Sequence, residues 1–214
     1  ALPGLPGKIT TFSTEEEADW FLRGDDIFCG DSHFIDVSKT RLRGLHNAEN
    51  LMAACAVVEG ITPEIAQAAL VDYAPPVHRC ELVGIFDQVE WLNDSKATNL
   101  HALEAALRSQ NRPTILIAGG KEKGLDYQLL APLLAEKVTQ AIFFGEIGAS
   151  IAVNFFDVVP CETVDTLEEA VKFAAQKTKP GDAVLFSPGT SSFDQFSGYE
   201  ARGDAFKSAV LSLP

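Results

Sequence analysis

Hydrophobic residues follow two different patterns along this chain, and the change between them falls at Pro75-Pro76. After the two prolines, short apolar runs, 115–118 and 183–186 among them, are separated by longer segments of helical periodicity. Strands that are apolar on both faces are typical of parallel sheets covered by helices. The pattern therefore predicts a doubly wound, Rossmann-like α/β domain over residues 77–214.

Turn and capping residues divide this predicted domain into alternating strands and helices. Asp87-Gln88 separates two apolar strands and predicts a hairpin. The predicted strands are 81–86, 89–93, 114–118, 141–144, 157–160 and 183–187, and the predicted helices are 99–108, 127–137, a short one from 146, 167–177 and 199–211.

The first 76 residues alternate less regularly and predict an incomplete, mixed segment. Thr14 and Glu17 have the spacing of a capping box, so a short helix is predicted from about Glu15. Because two prolines hold the backbone extended, as suits a hinge, we expect separate domains at 1–76 and 77–214. The other predicted elements are strands around 27–28 and 34–37, a helix over 47–59 that stops at Gly60, and a helix capped by Thr62 with Pro63 at its first position.

The amino-acid composition excludes some classes of binding partner. The chain of 214 residues carries 17 Lys and Arg against 30 Asp and Glu, a formal net charge of −13. A surface of this sign repels phosphate backbones, so no nucleic acid partner is expected and any phosphate site must be local. No apolar run approaches the ~20 residues of a membrane span, and four scattered cysteines without a C-x-x-C pair are typical of reduced thiols. We therefore expect a cytoplasmic protein that does not bind membranes.

Three loops at the predicted carboxyl ends of strands carry unusual polar residues, and ligands of open α/β sheets bind at those ends. The first loop, 93–99, places Asp94, Lys96 and Thr98 directly before a helix. Asp94 can accept from sugar hydroxyls, Lys96 can bind phosphate or carboxylate, and Thr98 can donate to an anion or cap the helix. An elaborate N-cap is the alternative interpretation.

The second loop, 119–124, is a Gly-Gly turn with two lysines, and the third loop, 187–196, begins Ser-Pro-Gly and continues through three hydroxyl residues. Glycines let a ligand approach the backbone closely, and a lysine there supplies a cation for an anion. Hydroxyl residues at a helix entrance suit the capture of a carboxylate. A solvated loop and a Pro-Gly turn followed by an N-cap are the alternatives.

Asn47 and Asn50 lie three positions apart at the start of a predicted helix. Their side-chain amides could form hydrogen bonds with the edge of an adenine base, or they could simply cap the helix. The histidines at positions 33, 46, 78 and 101 show no metal spacing, so a surface or linker position is expected for each. No metal site is predicted from these residues.

Together these segments resemble the Mur ligases of bacterial cell-wall synthesis, and among them the members that add D-glutamate. The N-D-S-K-A-T-N and S-P-x-x-x-S-x-D-Q-F stretches distinguish those members from the others. The resemblance implies an ATP- and Mg²⁺-dependent amide ligase. In such an enzyme the carboxylate of UDP-N-acetylmuramoyl-L-alanine is phosphorylated, and the amino group of D-glutamate attacks the acyl phosphate. The stretches that carry the resemblance are 44–50, 78–81, 91–99, 119–124 and 187–196.

The resemblance also implies a role for each matching residue. The nucleotide residues would be Asn47 and Asn50 at the adenine, Arg79 at the phosphates, Asp94 at the ribose, and Lys96 as the catalytic candidate that contacts phosphate or orders the site. The D-glutamate residues would be Thr98 and Lys123 at the α-carboxylate, and Ser192, the backbone of Phe193 and the ring of Tyr199 at the side-chain carboxylate.

One departure from the family limits what this chain is expected to do. The family's phosphate loop, G-x-x-x-x-G-K-S/T, is absent, since Gly7-Lys8 is followed by Ile9 and lacks the earlier glycine. Residues 1–76 are therefore expected to be the end of a central ATPase domain, with most Mg²⁺ ligands and the UDP-sugar site elsewhere. We expect this chain alone to be inactive and the full-length protein to be a monomer. The alternatives are another Mur ligase, a folate-type glutamate ligase, or a non-catalytic nucleotide- or amino-acid-binding module.

Overall fold

The computed structural model describes residues 9–42, 44–73 and 76–214. Its internal contacts separate two units, Ala1–Pro75 and Pro76–Pro214. The expected hinge at Pro75-Pro76 lies partly outside the described residues. Each unit is built around its own sheet.

The first unit contains a four-stranded sheet whose strands lie side by side in chain order. The first two strands are parallel and the others are antiparallel. Ile27 and Ile35 of the sheet share a buried core with Met52 of a helix, so the sheet is covered on one face. Its elements are β1 (Phe12–Ser13), β2 (Trp20–Arg23), β3 (Asp26–Cys29), β4 (Ser32–Asp36), α1 (Leu45–Val57) and α2 (Pro63–Val71).

The secondary-structure predictions for this unit are confirmed except for its first helix. The two strands and the two later helices are present, and Thr62 caps α2 with Pro63 at its first position. The short helix predicted from Glu15 is wrong, because Trp20–Arg23 pairs with β3 as an antiparallel strand. Ser13, rather than Thr14, accepts from the backbone of Glu15 and Glu16 through its Oγ, in a local turn. Strand pairing buries apolar side chains that a lone helical turn could not bury.

The second unit is a doubly wound α/β domain, as predicted. Its sheet has six strands, β5 (Glu81–Phe86), β6 (Val89–Asn93), β7 (Thr114–Gly119), β8 (Val138–Phe144), β9 (Cys161–Val164) and β10 (Ala183–Phe186). They lie in the order β5-β6-β10-β7-β8-β9, and every neighbouring pair is parallel except the β5–β6 hairpin. The hairpin turns at Asp87-Gln88, where both residues have positive φ.

Five helices cover the two faces of this sheet. They are α3 (Leu100–Arg108), α4 (Ala131–Lys137), α5 (Gly148–Val153), α6 (Leu167–Lys177) and α7 (Tyr199–Leu211). Side chains alternate between the faces, so Leu116 packs with α3 and α4 while Ile115 and Ile117 pack with α6 and α7. Burial on both faces explains why these strands are continuously apolar. No helix within the described ranges is both long enough and apolar enough to cross a membrane.

The predicted strand at 157–160 is wrong, and the edge strand β9 follows it at Cys161–Val164. Phe155 and Val159 are buried in the core beneath the sheet, with the Phe155 ring stacked on Phe143 at 5.9 Å. Pro160 has no backbone N–H to donate to a neighbouring strand. Its carbonyl accepts a hydrogen bond from the backbone N–H of Ala141 in β8. The apolar residues of this segment therefore fill the core from a turn, and the strand begins after the proline.

Candidate functional site

The three loops singled out in the sequence leave the same edge of the second unit's sheet. They follow β6, β7 and β10, which are neighbours in the order β6-β10-β7. Because these strands are parallel, their carboxyl ends meet at one edge. The fold therefore brings the loops together although they lie up to about 90 residues apart in the chain.

Asp94 joins the first loop to the third. The backbone N–H of Asp94 donates to the Phe186 carbonyl at 2.7 Å, and the Ser187 hydroxyl donates to Asp94 Oδ2 at 2.8 Å. Asp94 Oδ1 accepts from the backbone N–H of Cys80 at 3.1 Å. The residue is only 4% exposed. Burial raises the pKa of Asp94 to about 6, against the opposing effect of the hydrogen bonds from Ser187 and Cys80.

The ribose contact implied for Asp94 remains a prediction. In this structure both of its carboxylate oxygens accept hydrogen bonds from the protein. What the structure shows is a buried carboxylate that fixes the relative positions of two site loops.

The second loop lies against the third through backbone hydrogen bonds. The N–H of Gly119 donates to the Pro188 carbonyl at 3.1 Å, and the N–H of Lys121 donates to the Ser191 carbonyl at 2.9 Å. Gly120 has a φ of +137°, and a Cβ atom there would overlap the Ser191 carbonyl oxygen. The Gly-Gly turn is therefore needed for the close approach of the two loops.

The two lysines of the second loop have different partners. Lys121 Nζ pairs with Glu146 at 2.7 Å. Lys123 is exposed, and its Nζ donates to the Thr98 carbonyl in the first loop at 3.2 Å. Thr98 and Lys123, predicted to share a ligand carboxylate, are therefore direct neighbours. Thr98 does not cap the following helix, because Asn99 does so through its side chain.

Ser192 follows Ser191, whose carbonyl accepts a hydrogen bond from Lys121 of the second loop. Ser192 is buried, and its carbonyl accepts from the backbone of Phe196 at 2.9 Å. Phe193 is exposed beside it, and Tyr199 is half-buried at the start of α7. Ser192 and Phe193 lie on the segment between β10 and α7, and Tyr199 is the first residue of α7, at the same edge of the sheet as the first two loops.

Two exposed cations belong to the predicted nucleotide residues of this unit, Arg79 and Lys96. Lys96 Nζ lies 6.0 Å from the centroid of the Tyr199 ring, within cation–π range. The backbone N–H of Lys96 donates to the His78 carbonyl at 2.9 Å, so the segment before β5 is attached to the first loop. Within the second unit, Lys96 thus lies beside Tyr199 and is joined to the residue that precedes Arg79.

Asn47 and Asn50 lie on α1 of the first unit. The N-cap of that helix is Gly44, so neither asparagine occupies the N-cap position itself. Asn47 is half-buried and Asn50 is exposed. Their proposed contact with adenine remains a prediction.

Two residues of this region were missed in the sequence. His78 is 3% exposed, so the expectation of a surface or linker histidine is wrong at this position. Its Nδ1 lies 3.0 Å from Asn93 Nδ2, and a Cβ atom at Gly203 would overlap its ring. His33 and His101 are exposed, and the side chain at position 46 lies outside what is described.

Arg202 is the second missed residue, and it is fully buried at 0% exposure. A signal was available, since Arg202, Phe206 and Val210 follow i, i+4, i+8 spacing and all three are buried. An arginine on the apolar face of a helix requires polar partners inside the protein. Those partners are in the site loops.

No cation site is visible within the described ranges: no group of three or more His, Cys, Asp or Glu side chains is placed to hold a metal ion.

Residues 78–189 match the family described as Mur ligase, glutamate ligase domain. A relative from Chlorobium chlorochromatii is 45% identical over 180 residues, which cover 83% of this chain and 39% of the relative. A relative from Aquifex aeolicus is 39% identical over 196 residues, which cover 90% of this chain and 47% of the relative. Both are named UDP-N-acetylmuramoylalanine–D-glutamate ligase, and this chain spans less than half the length of each.

Solved structures share the fold at low sequence identity. The UDP-N-acetylmuramate-alanine ligase of Thermotoga maritima has a TM-score of 0.68 and 13% identity, covering 95% of this chain and 48% of that one. The bifunctional folylpolyglutamate synthase/dihydrofolate synthase of Yersinia pestis has a TM-score of 0.62 and 18% identity, covering 91% and 46%. At such identities the likeness concerns the fold alone.

Proposed function

The chain belongs to the Mur ligase family, and from this premise we propose that it carries the D-glutamate-binding part of an ATP-dependent amide ligase. The complete enzyme would add D-glutamate to UDP-N-acetylmuramoyl-L-alanine in peptidoglycan precursor synthesis. The names of the relatives support the choice of D-glutamate. Because the chain spans less than half of those relatives, the whole activity is proposed for the complete protein only.

One contact carries the proposal: Lys123 Nζ lies 3.2 Å from the Thr98 carbonyl. It brings a cation and a hydroxyl residue from two loops to the carboxyl edge of the sheet, where ligands of this fold class bind. An ammonium group and a hydroxyl are suitable donors for one carboxylate. We propose that Thr98 and Lys123 hold the α-carboxylate of D-glutamate, and that Ser192, the Phe193 backbone and the Tyr199 ring hold its side-chain carboxylate.

The nucleotide side of the proposal rests on the exposed cations. In amide ligases of this type, ATP activates a substrate carboxylate as an acyl phosphate, and the amino group of the incoming amino acid displaces the phosphate. Arg79 and Lys96 would neutralise charge on the phosphates, with Lys96 as the catalytic candidate. Asn47 and Asn50 would bind adenine and Asp94 the ribose. Most ligands of Mg²⁺ are proposed to lie in the rest of the complete enzyme.

Titration of the chain with D-glutamate, followed by NMR, tests the amino-acid site. We expect D-glutamate to shift signals of the three loops, and L-lysine and diaminopimelate to leave them unchanged. Lys123→Ala is expected to weaken D-glutamate binding at least about tenfold, since a hydrogen bond to a charged group contributes roughly 1.5–3 kcal/mol. Lys121→Ala is the matched control, because its ammonium group is paired with Glu146.

Three outcomes would contradict the proposal. Loop shifts with L-lysine or diaminopimelate would favour another Mur ligase, and shifts with L-glutamate alone would favour a folate-type ligase. An equal effect of the two lysine substitutions would remove Lys123 from the site.

The ligase reaction itself is expected to need parts of the complete enzyme that this chain does not contain. We propose that the chain alone does not release phosphate from ATP, because its sequence lacks the G-x-x-x-x-G-K-S/T phosphate loop. A phosphate-release assay with ATP, D-glutamate and the UDP-linked substrate tests this expectation. Substrate-dependent release by the 214-residue chain would refute it.

A further inference from the structure

Arg202 is the one fully buried arginine of α7, and its guanidinium reaches two of the three site loops. Nε donates to Ser95 Oγ at 3.1 Å, and Nη2 donates to the Ser95 carbonyl at 2.8 Å. Nη2 also donates to the Thr190 carbonyl at 3.1 Å. Ser95 belongs to the first loop and Thr190 to the third, so one rigid planar group cross-links both.

The contact extends to the start of the helix that carries Arg202. Ser95 Oγ donates to the Tyr199 carbonyl at 2.8 Å. Tyr199 is proposed to contact the side-chain carboxylate of D-glutamate, and its ring also lies near Lys96. The hydrogen bonds of Arg202 therefore hold the first loop, the third loop and the start of α7 in one arrangement.

The remaining nitrogen of Arg202 points toward the second loop. A Cβ atom at Gly120 would lie 3.1 Å from Nη1. Nη1 is buried and has no hydrogen-bond partner, and the same holds for Oδ1 of Asp194 in the third loop. Within the described part of the chain, no carboxylate forms a direct ion pair with Arg202, but the Asp194 carboxylate is near enough to act on it: burial lowers the pKa of Arg202, and the charge of Asp194 opposes that shift.

A buried cation that has a carboxylate nearby, Asp194, but no direct ion pair has electrostatic consequences. Its field is weakly screened inside the protein, where the effective dielectric constant is far below that of water. The chain as a whole carries a net charge of −13, so an amino acid with two carboxylates needs a local positive potential to approach it. Arg202 lies directly behind the loops to which that amino acid is proposed to bind.

We propose that Arg202 is a positioning residue for the acidic amino acid, which holds the site loops together and supplies a fixed positive charge behind them that favours a second carboxylate. This inference rests on the proposed D-glutamate site. A purely structural role for Arg202 would not affect which amino acid binds. The proposed role makes the preference for an amino acid with an anionic side chain depend on Arg202.

The test uses the 214-residue chain and compares D-glutamate with D-glutamine, which lacks the side-chain charge. For the unsubstituted chain we expect D-glutamate to bind at least about tenfold more tightly than D-glutamine. Arg202→Met should lower that ratio to near one, whereas Arg202→Lys should keep most of it. Arg108→Met is the control, since it removes an equally charged but exposed side chain from the far end of α3. It should leave the ratio unchanged.

Hydrogen exchange tests the cross-link without any ligand. Arg202→Met, Arg202→Lys and Ser95→Ala should each speed exchange in loops 93–99 and 187–196 by tenfold or more, with the central strands of the sheet unaffected. Ser95→Ala keeps the charge, so it covers the case in which an Arg202 variant does not fold.

The possible outcomes distinguish a failure of the proposed function from a failure of the proposed role of Arg202. If the unsubstituted chain does not bind D-glutamate, the proposed function fails, and loop exchange alone decides whether Arg202 positions the loops. If D-glutamate binds but Arg202→Met weakens both ligands equally, the charge role is overturned. Unchanged loop exchange in Ser95→Ala and Arg202→Lys overturns the cross-link.

Discussion

Replacing Asp94 by asparagine is expected to stabilise the second unit at neutral pH, although it alters a residue proposed to bind the nucleotide. Asparagine has the same shape and keeps both contacts, since its Oδ1 can accept from Cys80 N–H and its Nδ2 can donate to Ser187 Oγ. The substitution removes only the charge of a carboxylate that is 4% exposed. Burial of that charge costs free energy.

The pKa of Asp94 gives the size of this cost. It rises from 3.8 to about 6 on folding, with burial as the main cause. At 1.36 kcal/mol per pH unit, this difference corresponds to about 3 kcal/mol of lost stability once the carboxyl is ionised in both states. Because the folded state holds the proton more tightly, its stability falls as pH rises from the unfolded pKa through the folded one. The cost is therefore about half as large at pH 5 as at pH 8.

Urea unfolding followed by circular dichroism measures this difference. The free energy of unfolding of Asp94→Asn should exceed that of the unsubstituted chain by up to about 3 kcal/mol at pH 8 and by about half as much at pH 5. Asp157→Asn, which alters an exposed carboxylate, is the control and should show no such dependence. A variant that is less stable at pH 8, or an advantage that does not grow with pH, would show that the buried charge is not the cause.

Two further substitutions test how the second unit is built. Gly119→Ala should lower the free energy of unfolding by at least about 2 kcal/mol, because a Cβ atom there would overlap the Phe144 carbonyl oxygen. Gly181→Ala, also at positive φ but with open space around it, should cost only about 1 kcal/mol, and equal losses in thermal unfolding would contradict the overlap. Thr166→Ala should cost about 1 kcal/mol by removing the capping box of α6. Glu168→Gln, which removes an exposed ion pair and a first-turn charge but leaves the capping box intact, should cost less than about 0.5 kcal/mol, and a loss equal to that of Thr166→Ala would argue against the cap.

Elements with strong local signals were predicted well. The helices Leu167–Lys177 and Tyr199–Leu211 have the predicted bounds. In Leu167–Lys177 the capping box of Thr166 and Glu169 agrees with the helical periodicity. The predictions failed where a local sequence signal favoured one structure and contacts with residues distant in the chain favoured another. At Trp20–Arg23 strand pairing overrode a capping motif, and before Cys161 core packing overrode an apolar run typical of a strand.

For the site, the loops could be predicted but their internal contacts could not. Parallel strands place their carboxyl ends at one edge, so the pattern of strands was enough to select three loops. Which lysine faces the first loop depends on the position of Glu146, a residue 25 positions away from Lys121. Burial of His78 likewise depends on Gly203, which lies on the last helix.

The sequence by itself determined the fold class, the alternation of elements and the family, because these depend on periodicity and on short motifs that are contiguous in the chain. Only the tertiary structure decided that Asp94 is buried between two loops, that Lys123 rather than Lys121 contacts Thr98, and that Arg202 holds the first and third loops together. Those features depend on distances between residues far apart in the chain, and the packing of strands and helices sets those distances.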